Sequence, residues 1–318
     1  MTIVYMFPGQ NSRYAEMIDR QRRWSGCERI LRDASDVLGR DLSAHYRAEN
    51  AQMFSKNRDV QVGVFLAAYI LGERLAAAGI RSAASLGLSL GEYNHLVEIG
   101  ALSFESALRI LDARGRAYED GPRGLMMSVL PCEESQVQQA LDSTVTPGSA
   151  SIAIELSAKH FVISGEATSV QATASWLEDE AFAQARVVDS ALPMHSRTFR
   201  PAADSFLGNL EKAKWRPAQK PYLPNVDGQF LIDARPAEFV DRLYRHVFST
   251  VRWSRSVSAI VDRYPNAVLV EVGPKCILHN TVRRSHKHLH CFRTDDPEST
   301  DTVLLNTIER LQEVPIAA

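Results

Sequence analysis

The stretch Ser85-Leu86-Gly87-Leu88-Ser89-Leu90-Gly91-Glu92-Tyr93, SLGLSLGEY, sets a serine between two glycines, each one residue removed from it. It falls where the apolar run AASLGL (83–88) gives way to helical spacing through Tyr93, Leu96, Val97 and Ile99, with Gly100 as the stop. That pattern reads as strand, sharp turn, helix. A G-x-S-x-G turn of this kind projects the serine Oγ from the bend. It also aims the next backbone N–H, here that of Leu90, at a developing oxyanion, with the positive end of the helix dipole behind it. A serine hydroxyl is a poor nucleophile without a base and oxyanion donors, and the short motif recurs by chance. By itself the stretch leaves Ser89 as either a nucleophile or a small residue in a tight bend.

Upstream, TIVYMF (2–7) is a short β-type run ending at Pro8-Gly9, followed by a mostly helical region to about residue 80. Within it VQVGVFLAAYILGERLAAAG (60–79) is apolar nearly all round, the mark of a core helix, with Gly79 as its stop. Downstream, a second amphipathic helix runs from Phe104 to about Tyr118. Residues 123–194 change rhythm: GLMMSVL strand, EESQVQQALDS helix, ASIAIELS strand, HFVISGE strand, SVQATASWLEDEA helix, ARVVDSALPM strand. The order βαββαβ is the split pattern of a ferredoxin-like unit. It is expected as a small domain, 123–194, inserted between the two parts, 1–122 and 195–318, of a larger α/β domain. In the second part, PYLPNV reads as a strand, 236–248 and 253–263 as helices, AVLVEVG (267–273) as a strand and 302–313 as a final helix.

Bulk properties narrow the function classes. The 318 residues are 45% hydrophobic, and 36 basic residues oppose 38 acidic ones. No global field draws nucleic acid, so an acidic partner must meet a local basic patch. The four cysteines, Cys27, Cys132, Cys276 and Cys291, show neither CxxC pairing nor a dense framework and read as reduced thiols. The most apolar helical stretch, Val62–Gly72, reads as too short to cross a bilayer, and MTIVYMFPG lacks a basic n-region. A cytoplasmic protein with no membrane or nucleic-acid partner is expected.

Six ordered segments span nearly the whole chain: FPGQNS (7–12), GLSLGEY (87–93), DARGRAYED (112–120), LPMHS (192–196), PNVDG (224–228) and EVGPKCIL (271–278). Together they resemble the malonyl-CoA:acyl-carrier-protein transacylases and the acyltransferase domains of polyketide synthases. The resemblance implies an α/β-hydrolase-like large domain carrying the ferredoxin-like βαββαβ unit. It implies Ser89 as the acyl-accepting nucleophile and His195 as its general base. The histidine would be oriented by a main-chain carbonyl from the segment STVRW, near Arg252, so no aspartate is required. The N–H groups of Gln10 and Leu90 would form the oxyanion hole. Arg114 would pair with the carboxylate of a malonyl group through its forked guanidinium, and Leu88 and Met126 would belong to the substrate-binding set. Arg116, two residues on, should point elsewhere on the helix.

Two departures stand out. Asn11 replaces a family glycine, the least costly substitute if that position is left-handed. Leu88 replaces the histidine that usually precedes the nucleophile, which removes a hydrogen bond and leaves a neutral acyl group open. The implied function is transfer of an acyl group, most readily malonyl, from CoA through acyl-serine to the phosphopantetheine thiol of an acyl carrier protein. An editing hydrolase that uses water as second nucleophile is the alternative, and a carrier-docking module with a decayed site is a third reading. No metal or redox cofactor is implied: CoA comes with the substrate and the arm with the partner. A monomer is implied, and fatty acid and polyketide synthesis are both open. HKHLH (286–290) alternates His286, His288 and His290, which could share one face of a strand. No carboxylate or cysteine is spaced to complete a metal site there. With Arg283, Arg284 and Lys287 it reads instead as a basic landing patch for an acidic carrier.

Overall fold

Thr2–Phe7 forms β1, the inner strand on which the rest of the large sheet is built, in a computed structural model that describes residues 2–299 and 302–313. Short 3-10 turns lead to α1 (Gly26–Leu38), α2 (Leu42–His45) and α3 (Asn57–Ala77). β2 (Ala84–Gly87) then pairs parallel with β1, Val4 opposite Ala84 and Phe7 opposite Gly87. The two strands therefore end side by side, and the serine turn that leads into α4 (Gly91–Glu98) sits directly beside Pro8-Gly9. α5 (Phe104–Glu119) completes the first half.

The helix over 57–77 corrects the expectation that its apolar core is too short for a membrane. All 21 residues form one helix, long and apolar enough to cross a bilayer, but 67% of its most apolar window is buried inside the fold. Tertiary packing against α5 and the sheet, rather than length, makes it a core helix.

The middle of the chain forms β3 (Leu125–Leu130), α6 (Glu134–Thr144), β4 (Ala150–Ser157), β5 (His160–Gly165), α7 (Ala167–Ala181) and β6 (Gln184–Asp189). The strands make a separate antiparallel sheet in the order β4-β5-β3-β6. Strand alternation divides its side chains between two cores. Leu125, Val129, Phe161 and Ile163 meet Val170 and Leu177 of α7 in a satellite cluster, while Met126, Ile154 and Val162 point the other way and join the main core.

The chain then returns through α8 (Arg200–Glu211), α9 (Pro236–His246) and α10 (Trp253–Arg263) to β7 (Ala267–Glu271), α11 (Ile277–Ser285), β8 (His290–Arg293) and α12 (Thr302–Glu313). β7 joins the other side of β1, giving a parallel sheet β2-β1-β7-β8. Val4 and Met6 face one apolar cluster, Tyr5 and Phe7 another under Leu304 and Leu311, so both faces of the sheet are covered.

Two expectations fail here. PYLPNV is not a strand: Tyr222 makes only an isolated bridge to Leu231, because Pro221 and Pro224 bring no N–H to a ladder. The histidines of HKHLH do not share a strand face, since His286 caps α11 and only His290 enters β8.

Space around the serine turn is set by its glycines. A Cβ at Gly91 would lie 2.1 Å from the Phe7 carbonyl oxygen and 2.6 Å from its carbon, both rigid backbone. Gly208 in α8 meets nothing within 4 Å. Gly91→Ala is expected to destabilise by about 1–3 kcal/mol or more through overpacking. Gly208→Ala is expected to stabilise by roughly 0.5–1 kcal/mol, since alanine is the better helix residue. Urea unfolding midpoints that move together for the two variants would contradict this packing.

Candidate active site

The turn between β2 and α4 holds Ser89 with φ of 51°, and the segment before α8 holds His195 with φ of 61°, both in the left-handed region. Each such residue costs roughly 1–3 kcal/mol and persists only where its surroundings over-determine it. Here the surroundings are specific. Ser89 N–H donates to Asn225 Oδ1 at 2.8 Å, and Asn225 Nδ2 donates to Gly87 O at 2.7 Å. One asparagine thereby clamps both sides of the bend. His195 N–H donates to Val247 O at 2.9 Å.

These restraints bring Ser89 Oγ to 2.8 Å from His195 Nε2. On the other side of the ring, His195 Nδ1 donates to the His246 carbonyl at 2.7 Å. The third group is thus a main-chain carbonyl, but it comes from the last residue of α9, not from the segment near Arg252. The reason is geometric: the last carbonyls of a helix have no intrahelical partner. Arg252 is occupied elsewhere, its guanidinium on Glu155 Oε1 at 2.9 Å and on Val226 O at 3.2 Å.

With Nδ1–H given to a carbonyl, Nε2 is left as an acceptor for the serine proton. Burial pushes His195 down to about 3; the His246 carbonyl opposes this and the charge of Arg114 adds to it. The imidazole is therefore neutral at physiological pH, the form a general base needs.

Gln10 lies in the turn after β1 and Leu90 at the start of α4. Among the described residues no acceptor is paired with either backbone N–H, which leaves two donors free for an oxyanion. Asn11 is not left-handed; it sits inside the 3-10 turn Gln10–Ser12, so asparagine replaces glycine there without strain.

A cleft of about 220 Å³ opens at Ser89, His195 and Gln10, and its walls are mainly apolar, including Leu88, Met126, Ile154, Leu156 and Met194. Its few polar groups include Ser128, whose Oγ lies 2.7 Å from His160 Nε2. Arg114 is 1% exposed and lies outside that lining. Its Nη1 donates to Gln61 Oε1 at 2.7 Å, and its guanidinium carbon is 4.3 Å from the Tyr118 ring centre. Among the described residues Nε and Nη2 have no acceptor. Gln61 continues to Asn57 at 2.6 Å, and Asn57 to the Gln10 side chain at 3.5 Å. Arg114 is thereby linked through side chains to the Gln10–Ser12 turn. Arg116 points away, exposed and paired with Asp112 at 2.9 Å.

Sequence reasoning passed over three residues that hold this site together. Asn225 and Glu92 lie inside motifs already quoted, and their polar side chains in apolar surroundings were the available signal. His246 contributes through its carbonyl, which has no sequence signature.

The profile of the acyl transferase domain family matches residues 4–310. The chain belongs to that family. It is similar to the malonyl CoA-acyl carrier protein transacylase of Bacillus subtilis, 24% identical over 307 residues that make up 95% of this chain and 96% of that one. Among solved structures it resembles an acyl carrier protein S-malonyltransferase of Vibrio cholerae. That match has 26% identity and a TM-score of 0.87, covering 95% of this chain and all, 100%, of the other. It also resembles a malonyl-transacylase solved in complex with its type II polyketide synthase acyl-carrier protein. There the identity is 26% and the TM-score 0.87, over 96% and 100% of the two chains.

For this acyl transferase the depressed pKa of His195 has a direct consequence. A base that stays neutral down to about pH 3 loses no reactivity as pH falls through the ordinary histidine range. Labelling of Ser89 by a fluorophosphonate is expected to keep a constant rate from about pH 7 to about pH 5, an ordinary imidazole titrating instead near 6.5. An acid limb centred near 6.5 would show that His195 is not the buried neutral base described.

Proposed function

We propose that the chain carries a malonyl group from CoA to Ser89 and then to the phosphopantetheine thiol of an acyl carrier protein. The observation that carries the substrate assignment is Arg114: a fully buried guanidinium with two nitrogens that lack acceptors and no carboxylate in contact. An unpaired buried cation is costly, so the site favours an anion brought by the substrate. The malonyl transacylases among its relatives support the same reading.

In the first half-reaction Ser89 Oγ attacks the thioester carbonyl carbon while its proton passes to His195 Nε2. The carbonyl oxygen, now anionic, accepts from the N–H groups of Leu90 and Gln10, and removing one such donor typically costs about 2.7–4 kcal/mol. The C–S bond breaks, and CoA leaves as its thiol with the proton from His195. In the second half-reaction the carrier's thiol gives its proton to His195 Nε2 and its sulfur attacks the acyl-serine carbonyl. Ser89 then leaves and recovers the proton. Leu88 and Met126 supply apolar walls, and the thioester and the carrier's arm supply all else that reacts.

In the same reading, 1–122 with 195–318 form an α/β-hydrolase-like catalytic domain and 123–194 a ferredoxin-like one. The antiparallel order β4-β5-β3-β6, in which β3-α6-β4 and β5-α7-β6 interleave, supports the second description. The first is supported by the parallel sheet and the serine turn at the end of β2. A donor and an acceptor that both carry phosphopantetheine thiols suit a cytoplasmic enzyme.

The test is intact-mass spectrometry after mixing with malonyl-CoA. The expected result is one stable malonyl adduct, absent in Ser89→Ala, that disappears when holo carrier protein is added and reappears on the carrier. Arg114→Ala is expected to lower kcat/KM for malonyl-CoA by roughly 1.5–3 kcal/mol, tenfold or more, and to leave acetyl-CoA unaffected. An adduct that decays to free acid without a carrier would favour the hydrolase, and an Arg114→Ala variant indifferent to the carboxylate would remove malonyl as the substrate.

A further inference from the structure

The dyad's two restraints, Asn225 on the serine side and His246 on the histidine side, meet at one buried carboxyl. Glu92 lies in the first turn of α4, three residues after the nucleophile, and is 0% exposed. Its Oε1 accepts from Tyr222 OH at 2.5 Å, and its Oε2 accepts from the Asn225 backbone N–H at 3.4 Å. The same Oε2 is 3.2 Å from Nδ1 of His246, a ring whose two nitrogens have no hydrogen bond. That ring is stacked on His195, centres 5.0 Å apart and planes 25° apart.

We propose that Glu92 is a positioning residue for both halves of the dyad. Through Asn225 it fixes the Ser89 turn, and through His246 it fixes the carbonyl and the ring that hold His195. This rests on the reading of Ser89 and His195 as nucleophile and base, but not on which acyl group they carry.

Protonation follows from the surroundings. Burial raises Glu92 to about 8, with Tyr222, the Asn225 N–H and Arg114 opposing and Asp227 assisting. Burial drives His246 well below its ordinary value, with the charge His195 would carry if protonated and that of Arg114 adding to it. The pair is then a carboxylic acid beside a neutral imidazole. One Glu92 oxygen accepts from Tyr222 while the other, carrying the proton, lies 3.2 Å from His246 Nδ1. The other titratable groups facing Glu92 do not change state near pH 8. His95 and His195 are both held down to about 3, and Tyr93 and Tyr222 are pushed up well beyond the ordinary tyrosine range. As pH rises through about 8, Glu92 is the one of these groups that loses its proton, and the hydrogen facing His246 is lost; Glu271 of β7, also raised to about 8, titrates outside this cluster.

The experiment measures Ser89 reactivity as a function of pH in wild type, Glu92→Ala and Glu92→Gln. It uses both a fluorophosphonate and malonyl-CoA as single-turnover reagents, with folding checked by circular dichroism. Glu92→Ala is expected to slow labelling by about 10–100-fold, the usual cost of misplacing reacting groups, with KM for malonyl-CoA nearly unchanged. Glu92→Gln keeps an acceptor for Tyr222 and a polar hydrogen facing His246 but gives up the acceptor for the Asn225 N–H, so it is expected to rescue part of that loss. It should also abolish the decline in rate that wild type is expected to show above about pH 8. A folded Glu92→Ala that labels like wild type would overturn the proposal. So would a Glu92→Gln as slow as Glu92→Ala with its alkaline decline intact, and should Glu92→Ala fail to fold, the Glu92→Gln profile alone decides. If malonyl-CoA fails in wild type while the fluorophosphonate reacts, the malonyl assignment falls and the positioning role is still measured.

Discussion

The close approach of the serine turn to the end of β1 is the constraint on which the remaining structure depends. Leu88 N–H donates to Phe7 O at 2.9 Å, and that same carbonyl oxygen is what a side chain at Gly91 would strike. The parallel register of β1 and β2 brings the FPGQ turn and the serine turn together, so Gln10, Leu90 and Ser89 are placed by the ends of two paired strands rather than by two independent loops. The glycines of SLGLSLGEY answer to that contact. Gly87 and Gly91 are required because a Cβ on Gly87 would lie 2.1 Å from the carbonyl carbon of Gly91, and one on Gly91 would meet β1. Neither glycine has a positive φ, while the serine between them does. The strain therefore sits on the reacting residue, where Asn225 holds it.

That arrangement explains which parts were legible in the sequence. Glycine spacing, apolar period and the βαββαβ rhythm report local backbone needs, so the strand–turn–helix and the order of strands and helices in 123–194 could be read directly, while Ser89 and His195 were paired through the family resemblance. What escaped depends on contacts between distant segments. The orienting carbonyl belongs to His246 because α9 ends there, and any residue type offers a carbonyl. PYLPNV has apolar composition but two prolines, and its value lies in presenting Asn225 to the serine turn rather than in pairing as a strand. Asn11 suggested a left-handed position only through comparison with glycine, and the 3-10 turn removes the need.

The interior behind the dyad is unusually polar for a core: Gln61, Glu92, His95, Arg114, Asn225 and His246 are all buried. Such groups cost several kcal/mol if unpaired, and well-packed apolar replacements are often as stable. Their arrangement here is legible as preorganisation. Arg114, Gln61, Asn57 and Gln10 form one side-chain chain from the cation to the Gln10–Ser12 turn, and Glu92 ties Asn225 to His246. Dipoles fixed in a dry interior need not reorganise when charge develops on the substrate oxygen, and that is where their cost is offset.

The small sheet completes the same logic from the opposite side. It is stitched to the large domain by backbone bonds, Glu155 N–H to Val251 O at 2.9 Å and Val251 N–H to Ala153 O at 2.8 Å, and by Glu155 between Arg252 and Arg255. Val251 lies only four residues beyond Val247, whose carbonyl holds the His195 backbone. The segment that joins the lobes is therefore continuous with the one that aims the base. The cleft takes Leu88 from residues 1–122 and Met126, Ile154, Leu156 and Met194 from residues 123–194. The small sheet is bonded to Val251, so a displacement of it would also pull on the segment whose Val247 carbonyl holds His195. Ser89 and His195 are thus held to a single geometry, which is what the proposed pair of thioester exchanges at one serine requires.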